Sequence, residues 1–207
     1  MSTAQETGMH EIDPIIGRAR YEMFRDIGRD IYLGGLISSH GGNMSMREGD
    51  RIFITRRGSM LGRLSSSDIV WTKMAQCDFD DVCSREIVVH RAIYEATAAR
   101  AIVHAHPVHT IWRSMIGDSI EPIDSESLYV FGESVPVVSA TETVASAEAA
   151  AKLAVALVEA RIAVLRSHGP FSKGATLEEA FYHVSALEAS CQILDLRDEH
   201  GRARTDG

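Results

Sequence analysis

The sequence is poor in the features that define several broad classes of protein. Its 207 residues hold 21 lysine and arginine residues against 29 aspartate and glutamate residues, a formal net charge of −8 at pH 7. A nucleic-acid-binding domain usually carries a basic surface, so this balance argues against a nucleic-acid partner. No apolar run approaches the roughly 20 residues of a membrane-spanning helix. Residues 1–13 also lack the cationic start and apolar core of a signal peptide, so neither a membrane association nor a leader is expected.

Cysteine is also scarce. Cys77, Cys83 and Cys191 are the three cysteines of the chain, and they stand at unrelated spacings. An odd number without paired spacing is not typical of a disulfide framework or of a zinc–cysteine cluster. We therefore predict free thiols without a catalytic role, and a protein that works in the reducing cytoplasm.

The remaining composition is that of an ordinary globular protein. Apolar residues make up 45% of the chain and charged residues 24%. A chain of this length can bury a core of its own. No internal repeat, linker or low-complexity tract interrupts it, so we expect one α/β domain over residues 1–207, with its core at about residues 12–198.

Hydrophobic periodicity and turn residues predict alternating helices and strands. A first helix capped by Asp13 should stop at Gly34, and the charged tail after Arg197 should be loose. Between these points the pattern predicts strands near residues 44–48, 51–55, 68–71, 101–106 and 162–165, helices that start at Ser84, Pro107, Ala145 and Thr176, and short strands and turns over residues 120–138.

The most informative stretch is an apolar run that ends in two histidines. His104 and His106 are separated by one alanine and followed by Pro107. Side chains alternate along a strand, so the two imidazoles should point the same way, and the proline should end the strand. Neutral imidazole is a preferred ligand of zinc and similar divalent metals, and a catalytic site needs about three protein ligands.

A third histidine ends a second apolar run. His168 follows the run Ile162 to Leu165 and stands before a Gly-Pro break, which makes it the candidate third ligand. The alternative is that the histidines are hydrogen-bonded core residues, although burial of two imidazoles on one strand face requires partners for four ring nitrogens. His109, one turn further on, fits a supporting role better than that of a ligand.

Two polar loops could cradle an anion. One loop ends in Gly41, Gly42 and Asn43, and another, after the returning strand, consists of Arg56, Arg57, Gly58 and Ser59. Backbone amides and guanidinium groups in such loops bind phosphate. Each loop taken alone is equally typical of an ordinary hairpin end.

Glu86 has two interpretations. Following Ser84 and Arg85, it falls in the first turn of the predicted helix, where the helix dipole favours a carboxylate. That helix leads directly into the His104 strand, so Glu86 could instead face the histidines. A pair between Glu86 and His90 is also expected, since residues four apart share a helix face.

Taken in order, these motifs resemble those of the class II aldolase/adducin family, which includes the L-fuculose-phosphate aldolases. The similarity extends from about Ile27 to Leu194. His-x-His alone is moderately specific, whereas the whole ordered set is highly specific. The matching motifs are Gly42-Asn43-x-Ser45, Thr55-x-x-Gly58, Ser84-x-Glu86 with His90, His104-x-His106-Pro107 and His168-Gly169.

The resemblance implies a single α/β domain with a central, mainly antiparallel sheet flanked by helices. It implies a homotetramer with active sites at subunit interfaces. It further implies that His104, His106 and His168 bind one divalent metal per subunit, with Zn²⁺ favoured over Mn²⁺, Co²⁺ or Fe²⁺, and that Glu86 acts as general acid and base. The implied reaction is reversible cleavage of a ketose 1-phosphate into dihydroxyacetone phosphate and an aldehyde.

The resemblance also implies a phosphate site formed by Gly42, Asn43, Gly58 and Ser84. This chain departs from the family pattern there, because Arg57 and Arg85 replace hydroxyl residues. An arginine can anchor a phosphate or a carboxylate, so the anion site is expected to be kept but remodelled. The tyrosine used near the aldehyde falls close to Ser125, with Glu126 and Tyr129 as possible substitutes.

The departures leave several reactions open. L-Fuculose 1-phosphate is the reference substrate, and 5-deoxy- or methylthio-pentulose 1-phosphates are the other candidates for cleavage. The same metal site could serve a methylthioribulose-phosphate dehydratase or a decarboxylase of hydroxylated acids. A non-catalytic module like the adducin head is the third possibility, disfavoured because the three histidines and Glu86 are all present.

Overall fold

The structure is a computed structural model, and it describes residues 13–203. The helices are α1 (Arg18–Leu33), α2 (Ile87–Ala96), α3 (Val108–Ile116), α4 (Ser125–Phe131), α5 (Ala147–Glu159) and α6 (Leu177–Ala203). The strands are β1 (Asn43–Glu48), β2 (Arg51–Thr55), β3 (Ile69–Lys73), β4 (Ala101–His104), β5 (Ser119–Ile120), β6 (Val135–Val138), β7 (Ile162–Leu165) and β8 (Gly169–Gly174).

The strands form one sheet of eight, in the order β3-β2-β1-β4-β8-β7-β6-β5. Neighbouring strands are antiparallel except for β6 and β7, which are parallel. The predicted fold class, a mainly antiparallel sheet flanked by helices, is confirmed. The strand that carries the His-x-His motif lies inside the sheet, between β1 and β8.

Helices cover both faces of the sheet. On one face Phe24 of α1 and Leu187 of α6 pack with Val103 in a shared core. On the other face Ile93 of α2 and Leu153 of α5 pack in a second core. Adjacent residues of β4 point into opposite cores and are all buried, which explains why this strand reads as a continuous apolar run.

Three predicted helix starts are wrong by a few residues, one of them because α5 begins at Ala147 and not at Ala145. Asp13 does cap a turn, since its Oδ1 accepts from the N–H of Ile15 at 2.8 Å. Gly17 then adopts a φ of 70°, so α1 begins only at Arg18. Similarly, α2 begins at Ile87, because Ser84 caps the preceding turn.

The segment between β5 and β6 and the strand β8 were not foreseen. Residues 120–138 contain α4 as well as strands; Asp124 caps this helix by accepting from the N–H of Ser127 at 2.8 Å. Strand β8 starts with Gly169 and Pro170, residues that ordinarily mark a break. It pairs with both β4 and β7 and thereby places the third histidine.

The last helix starts where its capping residues predict and extends further than expected. The N–H of Glu179 donates to Thr176 Oγ1 at 3.1 Å. The helix then continues to Ala203, so the expectation of a loose tail from Arg197 is wrong for the described part. Residues 1–12 and 204–207, on which the other terminal expectations fall, lie outside the described residues. None of the helices described has the length and apolar character needed to cross a membrane.

Candidate active site

The first histidine of the site is the last residue of β4. In the sheet His104 lies opposite Asn43 of β1 and Phe171 of β8. Its ring stacks on that of Phe171, with centroids 3.9 Å apart and 10° between the planes. Its Nδ1 donates to the carbonyl oxygen of Pro170 at 2.9 Å. With the proton on Nδ1, the lone pair of Nε2 remains available to a ligand.

The other two histidines bring their rings to the same point. The Nε2 atom of His104 lies 2.9 Å from that of His106 and 3.0 Å from that of His168. The imidazoles of His104 and His106 thus meet as expected, but the predicted strand over residues 101–106 is too long, because β4 ends at His104 and His106 lies in the loop that follows. All three histidines belong to one group whose ligand atoms lie within 4.8 Å of one another.

Burial keeps these imidazoles uncharged. It lowers the pKa of His104 well below the usual histidine value, lowers the pKa of His106, and lowers the pKa of His168 to about 4. Neighbouring imidazoles add to the effect at His104 and His168. All three are therefore neutral at pH 7, which is the form that binds metals.

Glycines allow the backbone to approach the histidines closely. A Cβ at Gly41 would lie 2.7 Å from His106 Nδ1. A Cβ at Gly169, whose φ is 149°, would collide with the carbonyl oxygen of Ala105. His168 was expected at the end of a strand but lies in the turn between β7 and β8, just after Ser167 with a φ of 60°.

Glu86 faces this histidine group. It is only 4% exposed, and its Oε1 accepts from the N–H of Ala145 at 3.1 Å and lies 4.0 Å from His168 Nε2. Its Oε2 is buried and has no hydrogen-bond partner within residues 13–203. Burial raises the pKa of Glu86 to about 7, although the Ala145 N–H opposes the shift. The interpretation in which Glu86 faces the histidines agrees with this geometry.

These four residues form a donor set that fits a divalent cation. Three neutral imidazoles supply nitrogen lone pairs, and the unpaired carboxylate oxygen supplies negative charge beside them. Such a mixture of nitrogen and oxygen donors suits zinc and the neighbouring first-row metals. A buried carboxylate oxygen without a hydrogen-bond partner, such as Oε2 of Glu86, is costly, and a bound cation would compensate that cost.

The expected pair between Glu86 and His90 is wrong. His90 is fully buried, and its Nδ1 and Nε2 lie 2.6 Å from Ser45 Oγ and from Asn43 Oδ1, respectively. Burial lowers the pKa of His90 to about 3, so this imidazole is also neutral. His90 shares a helix face with Glu86 but binds instead to residues of β1. The sequence does not show that β1 lies next to this helix.

The anion-binding loops predicted from the sequence meet at the same cavity. Backbone hydrogen bonds join the Arg57 loop to the segment that carries Ser84: the N–H of Arg57 donates to Val82 at 3.0 Å, and that of Ser84 donates to Thr55 at 3.1 Å. The cavity measures about 360 Å³. Its lining includes every residue predicted for the site: Gly42, Asn43, Arg57, Gly58, Ser84, Arg85, Glu86, His104, His106 and His168.

Two residues of the lining, His40 and Val144, were not predicted for the site, whereas Arg56 and Ser59 belong to the second predicted loop. The nearness of His40 to Gly42 was the available signal. No local signal points to Val144, which comes from the segment before α5. Its neighbour Ala145, with a φ of 54°, supplies the N–H that contacts Glu86.

Three residues considered for the site lie elsewhere. His109 pairs with Asp195 of α6, with 2.5 Å between Nδ1 and Oδ2. Glu126 and Tyr129 belong to α4 and do not line the cavity of this chain. The Tyr129 side chain is 89% exposed.

Comparison with known proteins gives consistent results. The sequence model of the family described as Class II Aldolase and Adducin N-terminal domain matches residues 22–194. An L-fuculose phosphate aldolase of Methanocaldococcus jannaschii is 29% identical over 83% of this chain and 93% of its own length. A methylthioribulose-1-phosphate dehydratase of Acidiphilium cryptum is 31% identical over 80% of this chain and 86% of its own length.

A solved structure shows the same likeness. The crystal structure of an L-fuculose-1-phosphate aldolase from Thermus thermophilus superimposes with a TM-score of 0.86 and 36% sequence identity. The superposition covers 90% of this chain and 98% of that one. The residues matched by the family model include Glu86 and the whole histidine group.

Proposed function

This chain belongs to the class II aldolase and adducin family and is a class II aldolase-type lyase, and from that premise we propose that it is a divalent-metal-dependent aldolase. The proposed reaction is the reversible cleavage of a ketose 1-phosphate into dihydroxyacetone phosphate and an aldehyde. L-Fuculose 1-phosphate and the 5-deoxy- or methylthio-pentulose 1-phosphates are the proposed substrates.

One observation carries this proposal. Three neutral imidazoles and a buried carboxylate oxygen without a partner face one another in a cavity that is also lined by arginines and backbone amides. We assign His104, His106 and His168 as the metal ligands and Zn²⁺ as the metal, with Mn²⁺, Co²⁺ and Fe²⁺ as the competitors. A bound cation would act as a Lewis acid toward the carbonyl and hydroxyl oxygens of the substrate.

Glu86 is the proposed acid and base. Cleavage of the carbon–carbon bond requires removal of a hydroxyl proton and later delivery of a proton to carbon. The raised pKa of Glu86, about 7 through burial, suits both transfers near neutral pH. The contact with the Ala145 N–H would hold Oε1 in place and leave Oε2 free to take the proton.

The other end of the cavity is the proposed phosphate site. Gly42, Asn43, Gly58 and Ser84 would supply hydrogen-bond donors, and Arg57 and Arg85 would supply charge. Both arginines are exposed, and neither forms an ion pair with another described residue. Free guanidinium groups at the mouth of the cavity are available to a phosphate dianion.

Dehydration is a second candidate, because one relative at 31% identity is named a methylthioribulose-1-phosphate dehydratase. The same acid–base residue would then remove a proton from carbon while a hydroxyl group departs as water. The site residues are shared between the two reactions, so only the product distinguishes them.

A homotetramer is proposed, with residues of a neighbouring subunit completing the site. Helix α3, which starts next to the histidine strand, exposes large apolar side chains. Val108 is 69% exposed, Trp112 50%, Met115 54% and Ile116 57%. Such a group of apolar side chains is typical of a surface covered by another protein chain.

A product assay tests the reaction. Metal-loaded protein is incubated with ketose 1-phosphates, including fuculose, ribulose, 5-deoxyribulose and methylthioribulose phosphates, and release of dihydroxyacetone phosphate is measured with and without a chelator. We expect release that the chelator abolishes and that restored metal rescues. Loss of water from the methylthioribulose compound, without dihydroxyacetone phosphate, would establish the dehydratase instead.

Variants separate metal binding from chemistry. His168→Ala should lose both metal and activity, whereas His200→Ala, on the exposed end of α6, should keep both. Glu86→Gln should keep metal and lose activity. If the wild-type protein retains its metal and yields neither product from any substrate, the proposed reaction is wrong.

A further inference from the structure

A chain of four buried polar side chains extends from the interior of the fold to the cavity. Tyr94 OH lies 2.8 Å from Ser45 Oγ, which lies 2.6 Å from His90 Nδ1. On the other side of the ring, His90 Nε2 lies 2.6 Å from Asn43 Oδ1. Exposure along the chain is 1% for Tyr94, 0% for Ser45 and His90, and 6% for Asn43.

The buried end of this chain determines the direction of its hydrogen bonds. Within residues 13–203, the Tyr94 hydroxyl has one hydrogen-bond partner, Ser45 Oγ. The Tyr94 proton must therefore point to Ser45, since a buried O–H without an acceptor is costly. Ser45 has one proton, and it is directed to His90 Nδ1. In the opposite direction, the Tyr94 proton would have no acceptor.

This direction fixes the tautomer of His90. The ring is neutral, so it carries one proton, and Nδ1 already accepts from Ser45. The proton is then on Nε2, which donates to Asn43 Oδ1. Because the amide oxygen of Asn43 is bound to His90, the NH₂ group of the same amide is the part of the side chain that remains available to the cavity.

We propose that His90 is a positioning residue that turns Asn43 into a hydrogen-bond donor toward the anionic group of the substrate, with Ser45 and Tyr94 fixing the direction. The identity of that anion as phosphate rests on the proposed function; the orientation of the amide does not. No described residue accepts from Asn43 Nδ2. The opposite tautomer would present the amide oxygen to the cavity and repel an anion.

The same series of hydrogen bonds explains two residues of the family-like motifs that do not line this cavity. Ser45 and His90 are fully buried among the apolar side chains of the second core, where polar groups are costly unless bonded. Their purpose is neither ligation nor capping. Together with the Tyr94 hydroxyl, they fix the direction of the hydrogen bonds along one face of the sheet, as far as the residue that lines the cavity.

Two variants separate direction from packing. Tyr94→Phe removes the outer hydroxyl, but His90 Nδ1 is then the one acceptor that the described residues leave to the buried Ser45 O–H, so the tautomer of His90 should stay the same. Ser45→Ala combined with Tyr94→Phe removes every donor to Nδ1, so both tautomers should become populated. Tyr21→Phe is the matched control. It removes the hydroxyl of a tyrosine that takes no part in this series of hydrogen bonds and instead donates to the Leu64 carbonyl oxygen at 3.3 Å.

The first readout is the protonation of each ring nitrogen, measured by proton–nitrogen correlation spectra of protein labelled in its histidines. His90→Gln identifies the signals. We expect His90 to be protonated on Nε2 in the wild type, in Tyr94→Phe and in Tyr21→Phe. A wild-type His90 protonated on Nδ1 would overturn the inference, whether or not the double variant folds.

The second readout is the affinity of the metal-loaded protein for inorganic phosphate, measured by calorimetry. The double variant should bind phosphate about tenfold more weakly, the equivalent of one lost hydrogen bond to a charged group. Tyr94→Phe and Tyr21→Phe should stay within about twofold of wild type. A double variant with mixed tautomers and unchanged affinity would overturn the positioning role. If the wild type binds no phosphate, the proposed phosphate site is wrong. The measured tautomer of His90 would still confirm or refute the inferred direction of the hydrogen bonds.

Discussion

The Nε2 atoms of His104 and His106 lie 2.9 Å apart, although an alanine separates the two residues in the chain. The contact arises because His104 ends β4 while His106 has left the strand and donates its backbone N–H to Leu36 at 2.9 Å. Pro107 then starts the turn into α3. The close approach thus depends on the end of the strand and on the loop that holds it.

Substitution of Gly41 tests that dependence. Gly41→Ala would place a Cβ 2.7 Å from His106 Nδ1, so the ring or the loop must shift and the spacing of the three histidines must change. We expect metal affinity to fall at least about tenfold, since ligand geometry is restrictive. Competition with a chromogenic chelator measures it. Gly201→Ala, with no atom within 4 Å of its new Cβ, should leave the affinity unchanged.

The stability of the metal-free protein should depend on Glu86 and on pH. Burial raises the pKa of this carboxyl from the usual 4.5 to about 7. A glutamate ionises more readily in the unfolded protein than in the folded one, so ionisation of Glu86 lowers the free energy of unfolding. This loss of stability is absent below about pH 4, grows between about pH 4 and pH 7, and is complete above about pH 7. At pH 8 Glu86→Gln should therefore be more stable than wild type, by roughly 3 kcal/mol.

Chemical unfolding of both proteins at pH 5 and pH 8, with chelator present, checks this expectation. The advantage of Glu86→Gln should shrink at the lower pH. Glu199→Gln, an exposed glutamate of α6, serves as the control and should show no such trend. An advantage that is equal at both pH values would mean that ionisation of Glu86 is not responsible.

Glu188 should stabilise the start of α3. This carboxylate is 6% exposed and accepts from the backbone N–H groups of His109 and Thr110, at 3.1 and 2.9 Å, and from Thr110 Oγ1 at 2.8 Å. Glu188→Ala leaves these donors without a partner, so we expect a loss of about 2–4 kcal/mol. Urea unfolding measures it, and Glu199→Ala should differ from wild type by less than about 0.5 kcal/mol.

The three thiols should differ sharply in reactivity. Burial raises the pKa of Cys83 and of Cys191 to about 12. Cys77 is half-buried, and its contact with Thr72 lowers its pKa below the usual value. Iodoacetamide should thus modify one site in the native protein and three after unfolding, as mass spectrometry can count. Cys77→Ser should abolish the native reaction; modification that persists in this variant would refute the assignment.

Local pattern predicted much of this site. The His-x-His motif at the end of an apolar run indicated that His104 and His106 act together, although His106 lies beyond the strand, and polar loops next to strand ends indicated where an anion could bind. The position of His168 followed only approximately, because the Gly-Pro pair that suggested a break is the start of β8. Positions of residues within their own element were thus easier to predict than contacts between elements.

Contacts between separate elements could not be predicted. His90 of α2 had an obvious neighbour four residues away, yet its partners are Ser45 and Asn43 of β1, 45 and 47 positions away along the sequence. Ala145, whose N–H contacts Glu86, lies 59 positions away from it. Residues so far apart in the sequence come into contact only through tertiary packing, and the local periodicity of the sequence does not predict that packing.

The hairpin of β7 and β8 has one further consequence. His168 lies in its turn, while Pro170 and Phe171 supply the carbonyl oxygen and the ring that hold His104. Insertion or deletion of one residue between Leu165 and Gly169 would move Phe171 to the opposite face of the sheet, because strand side chains alternate. The number of residues in this turn is therefore part of the site's chemistry, and a homologous turn of another length would have to rebuild the support of His104 from different residues.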